Sequence, residues 1–424
     1  MSCTYRRQVP VSQTLQTSGT TSASHSRTRP RVLQCSKSRT SSTSCFRVSN
    51  SWFHATKGVA AFKSRRCQLL QFAAASTSEA STETMQEVIE FLKEDLTHLF
   101  DDQGIDKSRY EANVEFMDPI TKYDNVDGYL FNIAMLRRVF DPTFELHSIK
   151  QTGPNEVTTR WTMDMKLNFN PFGKWWSPQL LFTGTSIMTI NPETGNFTKH
   201  VDTWDSIPAD SQEYLSIDGV KDLIYQVTRL YRTPDLDTPA FKVLKRTAKY
   251  QVREYQPFVV AEYDMDTTTT SGSTGSTGSG EQPTNASEGT QAFNALAGYI
   301  FGGNAEGTKM KMTTPVFTQQ EGPRRRMQFV VSTSAQSPAQ LPNPNSESVT
   351  VEQLPGKVFG VLQFSGRADA ELAAKMALEL RAGLMADGVQ CCEGYTLGQY
   401  NDPSTKPMFR RNEVLIELVD FKLE

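Results

Sequence analysis

Apolar residues recur every three or four positions between Met85 and Phe100. Val88, Ile89, Leu92, Leu96, Leu99 and Phe100 fall on one side of a helical wheel, with Glu87, Glu90, Glu94 and Asp95 on the other, so the spacing predicts an amphipathic helix. A second helix is expected from about Val126 to Phe140. The period then changes to two. Trp161, Met163, Met165, Leu167 and Phe169 alternate with Arg160, Thr162, Asp164 and Lys166, which predicts a strand with one buried face. Further strands are expected near Gln179 to Ile190 and Asn196 to Trp204, joined by the turn Asn191-Pro192-Glu193-Thr194-Gly195. Helices followed by an antiparallel meander make an α+β unit.

A short helical pattern covers Ile217 to Arg232, and Pro234 and Pro239 then punctuate a link between domains. Beyond it the pattern repeats. Val252 to Ala261 reads as strand, proline turn and strand, and so does Val351 to Val361. Each is followed by an amphipathic helix. The first has the stripe Phe293, Leu296, Ala297, Ile300 and Phe301, and the second Ala373, Met376, Ala377, Leu380 and Leu384, with Gly302-Gly303 and Gly388 as C-caps. After the helices, Lys309 to Pro315 parallels Tyr395 to Tyr400, and Arg325 to Val330 parallels Arg410 to Leu415. A strand-strand-helix-strand-strand unit therefore occurs twice, and the two copies bury their helices best by pairing pseudo-symmetrically into one distorted barrel or sheet.

Charge separates the first 78 residues from the rest. They hold no Asp or Glu and twelve of the 44 basic residues, among many Ser and Thr, which is the signature of a transit peptide; cleavage is expected near Ala73 to Ser76. Its loss takes the net charge from −3 to −15 and argues against nucleic acid as a partner. Cys391 and Cys392 would then be the only cysteines, too few for a disulfide framework, and no apolar run reaches the length of a membrane span. The tract from Thr267 to Gly280 reads as part of a flexible insertion spanning 266–289.

Phe116-Met117-Asp118-Pro119 and Lys199-His200-Val201-Asp202-Thr203-Trp204-Asp205, in this element order, make residues 84–209 resemble the NTF2-like cone fold of plant and algal plastid proteins. Residues 210–243 read as a helical linker. Residues 244–424 resemble the SOUL haem-binding family, through Val252-Arg253-Glu254-Tyr255, through Gly307 with Met310, Met312, Thr313, Pro315 and Val316, and above all through Tyr400-Asn401-Asp402-Pro403-Ser404-Thr405-Lys406-Pro407 followed by Arg410-Arg411-Asn412-Glu413-Val414. The expected architecture is thus α+β: a cone of helices on a curved antiparallel sheet, followed by a distorted β-barrel flanked by two helices.

The second resemblance implies a non-catalytic haem or tetrapyrrole carrier or buffer of the chloroplast, working beside a protein partner in tetrapyrrole metabolism. In the family the haem lies against the first helix, here Phe293, Leu296, Ala297 and Ile300, and Lys406, with Arg410 nearby, reaches its propionates. All five histidines precede residue 201, so Met310, Met312, Tyr299, Tyr395 and the two cysteines are the remaining candidates for iron. Each reads better as core, and non-covalent haem without a strong axial ligand is expected. In the first domain His200, Asp202 and Trp204 share a strand face and are expected to line a pocket. Trp175 and Trp176 in a hairpin loop suggest a peripheral lipid contact. No catalytic residue and no protein-held metal is expected. The competing reading is a structural or interaction protein of plastoglobules or an algal eyespot; an enzyme centred on His200 and Asp202 is a third.

Overall fold

The computed structural model describes residues 85–168, 178–265, 285–333 and 337–423. The expected leader, Phe169, Trp175, Trp176 and most of the 266–289 insertion lie outside the described residues.

The first helix, α1, runs over residues 85–95, and its stripe of Val88 and Leu92 is buried. Helix α2 spans Val126–Val139; the Asn125 side chain starts it by accepting the Gly128 N–H at 2.7 Å. Six strands follow or interleave: β1 (Tyr110–Met117), β2 (Lys122–Tyr123), β3 (Phe140–Gly153), β4 (Glu156–Leu167), β5 (Gln179–Ile190) and β6 (Phe197–Trp204). Their order is β2-β1-β6-β5-β4-β3, antiparallel except for the β1–β6 pair. Both helices pack on one face of this sheet, where Leu92, Leu96, Tyr129 and Ile133 join Phe116, Met188 and Phe197 in a single cluster.

Strand β4 departs from expectation on its polar face. Arg160 and Thr162 are buried, because strand β7 (Phe241–Arg246) crosses over them. The Thr162 hydroxyl donates to the Val243 carbonyl at 2.7 Å. Arg160 is held by Asp205 and also reaches the Leu244 carbonyl. Helix α3 (Ile217–Val227) sits on the same sheet through Leu223 and Val227, and its Asp222 receives a bidentate pair from Arg246 at 2.9 and 2.7 Å. The second domain is therefore docked on the first by buried polar contacts that a half-exposed strand pattern conceals.

Nine strands form the second sheet: β7, β8 (Gln251–Tyr255), β9 (Phe258–Asp264), β10 (Val316–Glu321), β11 (Arg324–Ser332), β12 (Val349–Leu354), β13 (Lys357–Phe364), β14 (Tyr395–Gln399) and β15 (Asn412–Glu417). Helix α4 (Asn285–Ile300) follows β9, and α5 (Ala370–Ala386) follows β13. The order is β12-β9-β11-β10-β14-β15-β13-β8-β7. Exchanging β8 with β12, β9 with β13, β10 with β14 and β11 with β15 simply reverses the first eight, so the sequence repeat is a structural two-fold. The copies also trade their first strands: β12 pairs with β9, and β8 with β13. Neither copy has a complete edge alone.

Two details of the repeat change. Residues 309–315 form no strand, and the counterpart of β14 is Val316–Glu321, immediately beyond Pro315. The buried stripe of α4 is Ala292, Leu296, Tyr299 and Ile300, rotated from the expected one, while Phe293 and Phe301 face outward. Gly302 and Gly388 end the helices with φ of 103° and 71°, as their C-cap assignment requires.

Candidate functional site

The most distinctive sequence block resolves into a buried charge network. Glu413 on β15 has no exposed surface, and Arg253 on β8 is 1% exposed. Arg253 donates to both Glu413 oxygens at 2.9 and 3.0 Å. Arg411 adds bonds at 3.1 and 2.7 Å, and Tyr400 and Gln363 donate at 2.7 Å each. Burial alone would raise the Glu413 pKa, but the two guanidiniums overcome it and hold the carboxyl far below the usual range. The residues shared by two distant motifs thus bind the two copies of the repeat together, and this role is structural.

The residues expected to hold haem are dispersed. Leu296 and Ile300 are core residues of the cluster over β9, β11 and β12 and, as packed, present no face to a ligand; Ala297 packs partly against the same cluster. Phe293 is 43% exposed and meets Phe329 edge-on at 5.2 Å. Lys406 and Arg410 lie in the β14–β15 loop, whose backbone contacts run instead to Gly366 and Arg232. Lys406 is exposed. Arg410 is occupied, because its guanidinium donates to the Thr405 carbonyl at 2.8 Å and to Pro403.

Of the candidates for iron, Met312 is 42% exposed and not the core residue expected, and Met310 packs partly against the α4 cluster. Tyr299 is buried and donates to the Pro342 carbonyl at 2.7 Å. Cys391 is a free, half-buried thiol whose pKa is pushed up by burial, which works against the thiolate that iron requires. Arg326 is buried against Glu262 at 3.3 Å and Glu321 at 3.2 Å, so it serves the sheet.

In the first domain His200 and Asp202 line a cavity of about 70 Å³ within the cone. His200, 4% exposed, contacts Asp202 at 2.9 Å through Nε2, and Asp202 accepts from the Ser186 hydroxyl at 2.5 Å. Trp161 donates to Ser186 at 2.8 Å. Asp118 borders the same space, and burial raises its carboxyl pKa. Trp204, expected to join this pocket, packs elsewhere: its ring lies 4.4 Å from that of Phe182, in the cluster facing α3. Asp118, Ser186 and Trp161 were not recognisable from the sequence as neighbours of His200, because their segments meet only in the folded sheet.

A far larger space lies where the domains meet. A cleft of about 880 Å³ is walled by β4 and β5 on one side and by β7, β8 and residues 229–234 on the other. Tyr231 and Phe241 supply aromatic surface, and among the described residues the walls carry seven Lys or Arg side chains but only Glu145 and Asp164 as acids. Its size falls within the roughly 300–1,000 Å³ range of small-molecule sites.

Comparison with known proteins divides the chain in the same way. Residues 236–417 match the family model described as SOUL heme-binding protein, and residues 86–200 the one described as an uncharacterized conserved protein, DUF2358. No curated protein matches. Among solved structures, an NTF2-like protein of unknown function from Exiguobacterium sp. is 16% identical, covers 29% of this chain and 99% of its own, and gives a TM-score of 0.22. A putative SnoaL-like polyketide cyclase from Shewanella denitrificans is 20% identical, with coverages of 29% and 90% and a TM-score of 0.24. The EcmrR C-terminal domain is 10% identical, covering 41% of this chain and 99% of its own at a TM-score of 0.30.

Proposed function

From a chain whose residues 236–417 are a SOUL heme-binding domain behind a DUF2358 domain of NTF2-like α+β fold at 86–200, we propose a non-catalytic carrier or buffer of haem or a related tetrapyrrole. The SOUL match carries the reading. The absence of histidine from that domain, the burial of Tyr299 and the burial that raises the Cys391 pKa support a form in which haem is bound non-covalently, by its faces and carboxylates. When bound, the haem supplies a flat apolar ring and two anionic groups. The ring's burial contributes about 25 cal/mol per Å² and charge-assisted bonds fix its orientation, enough for about micromolar affinity without an iron bond.

The acid-free, Ser- and Thr-rich leader supports a chloroplast address, where such a carrier would meet a protein partner in tetrapyrrole metabolism. A peripheral lipid contact through Trp175 and Trp176 belongs to the same proposal. Comparing haemin with iron-free protoporphyrin tests the reading. Without a strong axial ligand their affinities should differ by less than about tenfold, ~1.4 kcal/mol; a much larger preference for haemin would mean that a protein atom holds the iron. The dispersal of the helix residues from Lys406 favours, as a second reading, an interaction protein of plastoglobules or an eyespot that holds no haem; failure to bind either porphyrin would support it.

A further inference from the structure

We propose that the cleft between the two domains, and not the α4 surface, is where the anionic tetrapyrrole binds; this rests on the haem-binding reading and gives it a place. The first argument is charge. Of the seven cations in the walls, Lys242, Arg246, Arg253 and Arg411 are committed to Glu145, Asp222 and Glu413. With Arg232 left out of the count and Asp164 included, the other six cations exceed the carboxylates by two, and by one when Glu254, whose charge is felt at Lys242, is included. An excess of positive charge in a walled space attracts a ligand with carboxylates and repels a cationic one.

The second argument is the state of two wall residues. Arg229 donates to Gln363 at 3.2 Å and stacks over Tyr225 and Tyr231, but its buried Nε–H has no hydrogen-bond partner. A carboxylate entering the cleft would supply one, and buried donors left unsatisfied cost free energy. Lys166, exposed near the C-terminal end of β4, lines the same cleft. Between these cations, Tyr231, Phe241 and Leu181 offer apolar surface for a ring. The third is volume, since the apolar pocket within the second sheet measures about 130 Å³ and the cone cavity about 70 Å³, against 880 Å³ for the cleft.

The test is a titration of the full chain with protoporphyrin, as the free dicarboxylic acid and as its dimethyl ester, repeated with Lys166→Glu/Arg229→Glu and with Lys406→Glu; a thermal midpoint for each variant establishes folding. The expected result is saturable binding of the acid, at least tenfold weaker binding of the ester, a similar loss for the cleft variant and none for Lys406→Glu. Equal binding of acid and ester, or loss confined to Lys406→Glu, overturns the cleft assignment and leaves haem binding intact. No binding of any porphyrin by the unaltered chain sinks both. If the double variant does not fold, the single change Lys166→Glu, at an exposed position, decides in its place: unchanged binding of the acid overturns the cleft assignment.

Discussion

Glu413 shows how a residue can be conspicuous in sequence and misleading about function. It lies in the most specific motif of the chain, yet its six hydrogen bonds are all spent inside the protein. Replacing Glu413 with Gln leaves Arg253 and Arg411 buried beside a neutral group and should cost about 3–5 kcal/mol, read from a urea unfolding curve. The pH dependence follows from the same charge. The folded-state pKa lies well below the unfolded value of about 4.3, so the stabilisation is complete above that value and is lost as pH falls below it. Between pH 7 and pH 3 the unaltered protein should therefore lose more stability than Glu413→Gln; equal losses would place the acid sensitivity elsewhere. What the sequence showed here was the motif. What it hid was the partner, since Arg253 stands 160 residues away and meets Glu413 only through β8, β13 and β15.

At the scale of elements, periodicity predicted α2, β5 and β6 nearly to the residue, because each has one dry face. The four strands of each repeat copy were also visible, apart from the shift at Val316, but not the exchange of first strands, which depends on pairing and leaves no mark on hydrophobic alternation. Helix α4 begins at Asn285, inside the expected 266–289 insertion, and its buried stripe is turned from the expected one, because its apolar residues cover more than one face and only packing selects among them. This distinction is measurable. Leu296→Ala should destabilise the protein by about 2–5 kcal/mol, as a buried large-to-small change does, whereas Phe293→Ala should cost about 1 kcal/mol or less. Denaturant midpoints of the two variants decide; a costly Phe293→Ala would mean that the exposed face of α4 is covered.

For the whole molecule, the unexpected feature is the dry polar seam between the domains. Arg160 and Thr162 looked like a solvated strand face, and a strand pattern cannot reveal that another domain will cover its polar side. Asp222→Ala, which strands Arg246 in that seam, should lower stability by about 3–5 kcal/mol. It should also separate the unfolding of the two domains into two calorimetric transitions; a single unshifted transition would show that the seam does not couple them. The cleft beside the seam was equally invisible in sequence, since its cations come from segments as far apart as Lys166 and Arg411. The missing histidines, by contrast, were legible from the start, and they define the measurement that bears most directly on this account: an absorption titration of the full chain with haemin. The prediction is a saturable shift at one haemin per chain, with a spectrum of open or weakly ligated iron. A non-saturating response, or the low-spin spectrum of iron held by two strong ligands, would contradict it.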